Sequence, residues 1–551
     1  MSVGRVLGTE DARPLDYWVA ISDDQYLELD DVVVSRTRLP DGQVVTLYGV
    51  VDLVRARHEG VQFQRDVFLV ERAVLPAATA RTAHVAVTRI EPEIYVPPLP
   101  GAEVWRAAGA DRDQALFFDR MERRLPLGLS RDGQPIFGNT DFLDGTRGAH
   151  INISGISGIA TKTTYATFIL HALFRSNALG PRAQSAKALI FNVKGEDLLF
   201  LDRPNAALPP AEAAKYQALG LPMEPFASAA FYAPVRPGAS LPLPQTGSRQ
   251  QGVTAYFWSL LEFCQGRYLR FLFADADHET SQLGFVVDRA EAQLARARPA
   301  PGLPGAVEID QTAIPDAEQL VQYIEAQLDA WAPTAAAGTK GAFIRRLEGA
   351  MHRVGHLIRP AAPAEAAAHQ IRWRDRQVTV IDIHRLHDRA KRFVVGAVLK
   401  RMFEEKDEIG TPDPLVFVVL DELNKYAPRE GWSPIKDVLL DISERGRSLG
   451  VSLIGAQQTA SEVERRIVAN AAFRVVGRLD TAEAERGEYG FLPTATRLRA
   501  GILKPGSLIV HQPEIPVPLL VQFPFPAWAT RPAEAQPSGA AGDDPFADFR
   551  P

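Results

Sequence analysis

Two kinds of hydrophobic pattern divide the chain. Up to about residue 95, short β-branched runs such as DVVVSR and HVAVTRIEP alternate with polar positions and are separated by turn sequences such as PDGQ and HEG. Runs of this length and spacing predict a small β-barrel or sandwich. From about residue 148, continuous apolar runs alternate with helix-like segments. This second pattern predicts strands of a parallel sheet that are buried on both faces.

Changes in composition divide these two regions further. Between about 205 and 365 the chain is rich in Ala, Gln and Arg, which favours helices, and its last residues are rich in Pro, Gly and Asp. Such a tail has too little apolar content to fold alone. The predicted organisation is an N-terminal β-barrel (1–95), a linker with a hairpin (96–147), an α/β core (148–204 and 366–530), a helical insertion (205–365) and a flexible tail (531–551).

Composition and charge exclude several classes of protein. The hydrophobic share of 46% and the charged share of 23% are those of a soluble globular protein. Cys264 is the one cysteine, so an intramolecular disulfide or a cysteine-based metal cluster is excluded. Neither a signal peptide nor an apolar run of about 18 residues is found, and we expect a cytoplasmic protein. The net charge of −6 means that nucleic-acid binding would need a local basic surface.

The stretch HINISGISGIATKTTYATFILHAL, which begins at His150, has the order of a phosphate-binding loop: apolar strand, glycine-rich turn, Lys-Thr pair, helix. Gly155 and Gly158 would let backbone N–H groups approach phosphate oxygens. Lys162 would meet the β- and γ-phosphates, and Thr163 would bind Mg²⁺. The usual spacing is not kept, because the turn is one residue longer and Thr161 replaces the last glycine.

Two later segments complete a predicted nucleotide site. PLVFVVLDELNKYAP places Asp421 and Glu422 at the end of a strongly apolar strand, where they suit a Mg²⁺ ligand and a group that polarises water. ERGRSLGVSLIGAQQ leads from two arginines, Arg445 and Arg447, to a strand that ends in two glutamines. Polar groups at this strand end would lie near a γ-phosphate, and either arginine could reach a neighbouring subunit's nucleotide.

These segments, with VGRVLGTEDARPLDYWVAI near the start and FNVKGEDLLFLD, resemble the HerA family, hexameric DNA translocases of the FtsK/HerA group of P-loop ATPases. The resemblance implies a RecA-like α/β core with a small N-terminal β-barrel and a helical insertion. It also implies ATP and Mg²⁺ as cofactors, double-stranded DNA as the track and a NurA-type nuclease as the partner in DNA-end resection and double-strand break repair. Asn192 stands where the family usually has Asp.

Residue by residue, the resemblance implies roles for three groups of side chains. Glu422, Lys162 and Arg447 would act in catalysis, with Arg447 reaching across to the next subunit, and Thr163 and Asp421 would hold Mg²⁺. The expected nucleotide contacts are Gly155, Gly158, Ile159, Ala160, Thr161, Lys162, Thr163, Thr164, Gln458 and Arg147.

Alternatives remain at this stage. One is a HerA-like ATPase of an anti-phage defence system, with a different effector. Another is a ring scaffold that binds ATP and activates a nuclease without translocating, which the altered loop would suit. Arg345, Arg346, His352, Arg353 and Arg359 could face DNA or lie on a solvated helix face.

Overall fold

Two compact units make up the chain. The computed structural model describes residues 2–61, 63–156, 162–249, 251–273 and 282–535. The first unit contains Met1–Thr140 and Arg474–Phe523, and the second contains Asp141–Phe473 and Pro524–Pro551. Each unit therefore takes residues from two separate stretches of the chain.

The first unit begins with a closed barrel of six strands in the order β1-β2-β5-β4-β3-β6. Its interior is lined by buried side chains such as Tyr17, Val33 and Val85. The sixth strand lies in the segment for which the sequence predicts a linker, so the barrel continues past residue 95. The strands are β1 (Ser2–Val6), β2 (Asp16–Ile21), β3 (Val32–Arg38), β4 (Val44–His58), β5 (Thr79–Glu91) and β6 (Glu103–Arg106).

The same unit contains a short helix between β4 and β5, and a second short helix and a hairpin that follow the barrel. The hairpin strands pair antiparallel, as the sequence LPLGLSRDGQPIFGN predicts. The elements are α1 (Asp66–Glu71), α2 (Ala110–Ala115), β7 (Arg124–Leu129) and β8 (Pro135–Asn139).

The second unit is built on a parallel sheet of seven strands. All six neighbouring pairs are parallel. The order across the sheet is β12-β11-β18-β10-β19-β20-β9, with these strands: β9 (Ile151–Ser154), β10 (Lys187–Asn192), β11 (Ala229–Pro234), β12 (Val253–Tyr256), β18 (Val378–Asp382), β19 (Val416–Asp421) and β20 (Val451–Gln457).

The sheet confirms the predicted fold class. In the sheet, β20 lies between the strand of the predicted phosphate loop, β9, and the strand that carries Asp421, β19. This strand order is that of a RecA-like α/β fold. Every residue of β19 and β20 is buried, which explains their continuous apolar sequences. All the carboxyl ends lie at one edge, where polar residues of different strands come together.

The region predicted as a helical insertion also contains strands. β11 and β12 extend the main sheet from inside it, and short strands pair outside that sheet: β13 (Trp258–Ser259), β14 (Arg298–Pro299), β15 (Val307–Ile309), β16 (Thr312–Ile314) and β17 (Ile358–Arg359). The sequences of β11 and β12, AAFYAP and VTAY, are too short and too rich in Ala to be distinguished from helix by periodicity.

Helices cover the sheet and fill the insertion. The helix α3 contacts β9, β19 and β20, and α6, α7 and α8 pack on one another. Among the described helices, none is both long and apolar enough to cross a membrane. The helices of this unit are α3 (Lys162–Arg175), α4 (Glu212–Ala218), α5 (Leu260–Gln265), α6 (Gln282–Leu294), α7 (Ala317–Trp331), α8 (Ala337–Val354), α9 (Pro363–His369), α10 (Asp388–Ile409), α11 (Pro434–Leu449) and α12 (Arg465–Asn470).

The chain then returns to the first unit through antiparallel strands that pair in chain order. These elements are β21 (Phe473–Val476), α13 (Thr481–Ala484), α14 (Thr494–Ala500), β22 (Ser507–Gln512) and β23 (Ile515–Gln522). Short 3₁₀ segments occur between elements of both units, at Phe118–Arg120, Thr140–Phe142, Asn177–Ala183, Asp197–Phe200, Leu269–Phe273, Gly355–Leu357, Leu423–Lys425, Ala460–Glu462, Gly487–Tyr489 and Pro532–Ala535.

Candidate nucleotide site

Lys162 is the first residue of α3 and lies at the carboxyl edge of the sheet. Its ammonium group donates a hydrogen bond of 2.6 Å to the carbonyl of Gly155, just past β9. The residue is only 5% exposed. Burial lowers the pKa of Lys162 to about 8, although the carboxylate of Asp421 opposes this shift. The predicted contacts Gly158, Ile159, Ala160 and Thr161 lie outside the described residues, so their phosphate contacts stay predictions.

Thr163 and Asp421 meet at the same edge. The Thr163 hydroxyl donates a hydrogen bond of 3.1 Å to Oδ2 of Asp421. The Asp421 side chain is only 6% exposed. A hydroxyl after the loop lysine and a carboxylate at a neighbouring strand end are the protein groups that a Mg²⁺-nucleotide needs.

Glu422 follows directly and has an unusual backbone conformation. Its φ of 56° is in the left-handed region, which is uncommon for a residue with a side chain and is found at functional sites. Its backbone N–H donates to Oδ1 of Asp421, at 2.8 Å. Burial acts to raise the pKa of the Glu422 carboxyl, but the ammonium groups of Lys425 and Lys194 outweigh burial and lower this pKa. Glu422 is therefore an ionised carboxylate at neutral pH.

Lys194 belongs to this group of charges, and the sequence prediction missed it. Its ammonium nitrogen lies 3.1 Å from Oδ2 of Asp421 and 3.5 Å from Oε1 of Glu422. The side chain begins two residues past the end of β10, next to β19 in the sheet. The available signal was a lysine just after an apolar strand, in KALIFNVKG, but only the strand order shows which carboxylates it reaches.

A cavity of about 260 Å³ lies at this edge of the sheet and is lined by several of these residues. Of the predicted contacts, Lys162, Thr163, Thr164 and Asp421 line it. The remaining wall is formed by residues of the β10 end and of the C-terminal segment, together with helix and loop residues: Ile156, Thr167, Phe191, Asn192, Val193, Lys194, Asp197, Leu198, Thr530 and Arg531.

Five predicted site residues among those described do not line this cavity: Gly155, Glu422, Arg447, Arg147 and Gln458. Arg447 donates to the carbonyls of Gly145 and Thr146, at 3.1 and 2.9 Å. Arg147 pairs with Asp141, at 3.7 Å. Gln458 is exposed just past the end of β20. A role toward a neighbouring subunit's nucleotide stays a prediction for Arg447.

The neighbour of Gln458 is held inside the sheet. Gln457 is fully buried and donates from Nε2 to Oδ1 of Asn152, at 2.8 Å. Its backbone carbonyl accepts from the N–H of Gly155, at 3.2 Å. Gln457 thus ties the end of β20 to the start of the phosphate-loop turn.

A C-terminal segment, Pro524–Ala535, carries the last part of the cavity wall. Trp528 is fully buried and packs on His171 of α3, with ring centroids 4.9 Å apart. The turn after it is closed by Glu534, which accepts from the N–H and the hydroxyl of Thr530, at 2.8 and 3.0 Å. Arg531, the first residue of the predicted flexible tail, is consequently fixed at the cavity. The sequence of residues 531–535, RPAEA, does not by itself predict this packing.

The residues present fit a Mg²⁺ ion only together with a nucleotide. Within the described ranges, no group of three or more His, Cys, Asp or Glu side chains could hold a metal. The Thr163 hydroxyl and the Asp421 carboxylate supply two oxygens, whereas Mg²⁺ prefers six. Phosphate oxygens and water would complete the shell, as is usual where Mg²⁺ accompanies a nucleotide.

Comparisons with known proteins find similarity in fold only. No family model and no curated protein matches the chain. The structure of VirB4 of Thermoanaerobacter pseudethanolicus is similar over 75% of this chain and 99% of its own, with 15% identity and a TM-score of 0.45. The plasmid coupling protein TrwB in complex with a non-hydrolysable ATP analogue is similar over 75% and 93%, with 13% identity and a TM-score of 0.47.

A smaller solved structure is similar over part of the chain. It is the genome packaging NTPase B204 from Sulfolobus turreted icosahedral virus 2 in complex with ATP-gammaS, with 12% identity and a TM-score of 0.20. The similarity covers 27% of this chain and 68% of that one. Similarity at these levels says nothing about substrate, partner or activity.

Proposed function

We propose that this protein is an ATP-hydrolysing motor of the HerA type that moves along double-stranded DNA. The observation that carries the proposal is the contact between Thr163 and Asp421, 3.1 Å, beside Lys162 and Glu422 in a RecA-like sheet. The two halves of a nucleotide site that the sequence predicts separately lie here at one sheet edge. A chance glycine-rich turn would not require a buried lysine and a carboxylate pair at the same place.

Each side chain has a defined task in hydrolysis. Lys162 and the N-terminus of α3 would bind the phosphates. The Mg²⁺ held with Thr163 and Asp421 would neutralise charge on the β- and γ-phosphates. Glu422, which is ionised, would orient a water molecule whose oxygen attacks the γ-phosphorus. The bond from that phosphorus to the β–γ bridging oxygen breaks, the water proton passes to the carboxylate or to phosphate, and ADP and phosphate leave.

The deciding experiment measures ATP hydrolysis by the purified chain with and without double-stranded DNA. A motor hydrolyses ATP and is stimulated several-fold by DNA. A ring scaffold binds ATP but turns over slowly, with little effect of DNA. Failure to bind ATP in the presence of Mg²⁺ would refute the nucleotide site itself.

Assembly into a homohexamer is part of the proposal. A finger arginine that reaches the next subunit's nucleotide requires a head-to-tail interface, and such an interface closes into a ring. Arg447 supports this because it is exposed on α11, near its end. Native mass spectrometry with Mg²⁺ and a non-hydrolysable ATP analogue would give the number of subunits.

DNA would be bound through phosphates and without sequence preference. Arg345, Arg346 and Arg353 are exposed on α8, whose opposite face buries Phe343 and Leu347. Such an arginine face supplies the local basic surface that a chain with a net charge of −6 needs. Replacing the three arginines with Gln should weaken DNA binding and reduce its salt dependence. If DNA binding is unchanged in this variant, the three arginines contact only solvent and do not bind DNA.

The expected partner is a NurA-type nuclease acting in resection of DNA ends and double-strand break repair. The support for this partner is the HerA resemblance of the motif segments. An anti-phage defence ATPase would carry the same motor with a different effector. Co-purification with a candidate nuclease, followed by end resection with and without ATP, separates these possibilities.

A further inference from the structure

Lys194 contacts the carboxylate that would hold a metal cation. Its ammonium nitrogen lies 3.1 Å from Oδ2 of Asp421, and the same oxygen accepts the Thr163 hydroxyl, also at 3.1 Å. Thr163 and Asp421 are the two residues that fit Mg²⁺. One carboxylate oxygen therefore receives both the hydroxyl that would bind the metal and a protein cation.

We propose that Lys194 is an exchangeable counter-ion, which neutralises Asp421 and Glu422 while no Mg²⁺ is bound and moves to the nucleotide phosphates when Mg²⁺ enters. The inference rests on the proposed nucleotide site and adds a residue to it. Lys194 would then position the carboxylates in one state and bind phosphate in the other.

The two adjacent carboxylates need such a counter-ion when no metal is bound. Asp421 and Glu422 are adjacent carboxylates, 6% and 16% exposed at their side chains. Two like charges this close repel each other, and partial burial strengthens that repulsion. Lys425 pairs with Glu422 at 2.5 Å, but the described residues show no ion pair between Lys425 and Asp421. Lys194 contacts both carboxylates.

The same position makes Lys194 a competitor of Mg²⁺. Two cations cannot share Oδ2 of Asp421 without strong repulsion, so an entering metal must displace the ammonium group. The Lys194 ammonium group has room to move away from Asp421, because its side chain is 43% exposed and has a flexible four-carbon stem. The backbone below it is fixed, since Asn192 donates to the carbonyl of Gly195, at 2.8 Å.

Phosphate is the available new partner for the ammonium group. Lys194 and Lys162 line the same cavity of about 260 Å³, so a nucleotide bound by Lys162 brings its negative charge within reach of Lys194. Lysine suits this exchange because its charge is compact and its three donors rotate freely.

The test measures binding of a fluorescent non-hydrolysable ATP analogue, MANT-AMPPNP, to the full chain over a series of Mg²⁺ concentrations and in EDTA. In Lys194→Met, the Mg²⁺ concentration for half-maximal binding should fall roughly 5- to 10-fold, because a competing cation is gone. Binding in EDTA should weaken by a similar factor, because Asp421 and Glu422 then repel the nucleotide phosphates without a counter-ion beside them. A merely structural lysine would impair binding under both conditions.

Three variants serve as controls. Lys194→Gln should behave as Lys194→Met, which guards against an effect of one side chain on folding, and Lys194→Arg, which keeps the charge, should stay close to wild type. Lys425→Met removes an ammonium group for which the described residues show an ion pair with Glu422 and none with Asp421. This variant should leave the Mg²⁺ requirement unchanged.

Two results would overturn the proposal. The first is a Mg²⁺ requirement that is unchanged or raised in both Lys194→Met and Lys194→Gln while wild type binds the analogue normally. This result refutes the exchange and leaves the nucleotide site intact. No binding of the analogue by wild type, with or without Mg²⁺, refutes the proposed function and the exchange together.

Discussion

The hydroxyl of Thr163 donates a hydrogen bond to the carboxylate of Asp421 across 3.1 Å, although the two residues are 258 positions apart in the chain. The contact exists because β9 and β19 are separated in the sheet only by β20 and end at the same edge. It brings a residue of the phosphate-loop helix to the strand end that carries both acidic groups. The proposed nucleotide chemistry depends on this contact.

Lys162→Ala should reduce ATP hydrolysis roughly 100-fold or more, because a positioned cation facing the transferred phosphoryl group is removed. Steady-state phosphate release measures the loss. Lys504→Ala is a matched control, since Lys504 is exposed and lies in the first unit. Turnover close to wild type in Lys162→Ala would show that the lengthened turn does not present this lysine to phosphate.

Glu422→Gln should keep nucleotide binding and lose hydrolysis, again roughly 100-fold or more. The amide has the shape of the carboxylate but cannot accept the water proton, and the ion pairs to Lys425 and Lys194 weaken. Titration with a fluorescent ATP analogue and phosphate release are the two measurements. If binding were lost as well, Glu422 would serve structure or binding and not the chemical step.

Nucleotide affinity should decrease as the pH rises above about 8. The pKa of Lys162 is about 8 in the site because of burial, so the empty site loses the Lys162 proton above that pH. Phosphate binds to the charged form, so binding at higher pH must take up a proton, and affinity falls by up to about tenfold per pH unit. Lys162→Arg, which stays charged, should bind with a flat profile from pH 7 to 9.5, measured with the fluorescent analogue. A flat wild-type profile would contradict the assignment.

Arg447 should act on the nucleotide of the adjacent subunit. Arg447→Ala and Lys162→Ala rings should each be inactive, whereas mixed rings contain interfaces with an intact loop and an intact finger, and some hydrolysis should return. Mixed rings verified by mass tags provide the measurement.

A control for the finger assignment lies two residues away on the same helix. Arg445 is on the same helix and pairs with Asp407 at 2.8 Å, so Arg445→Ala rings should remain active. Arg447 also holds the carbonyls of Gly145 and Thr146 within its own chain. If verified mixed rings stay inactive, that contact within the chain is its role.

The order of elements and the chemistry of the strand ends were predictable from the sequence. The apolar runs of β9, β10, β19 and β20 identify buried parallel strands, since burial on both faces removes the polar alternation. Asp421 ends such a run and Glu422 follows it directly, whereas Lys162 and Thr163 follow β9 after the glycine-rich turn. Their residue types at these places were informative without any structure. Local periodicity and turn composition carry this information within a few residues.

Only the tertiary structure decided which distant side chains meet. Lys194 reaches Asp421 because β10 lies beside β19, and Arg531 reaches the cavity because Trp528 packs on His171. Arg447 donates hydrogen bonds to the backbone carbonyls of residues 145 and 146. The strands β11 and β12 join the main sheet from a region whose composition predicts helices. Strand order and packing between distant segments are decided when all the apolar surfaces of the chain are buried together. A short window of sequence therefore cannot predict which distant side chains come into contact.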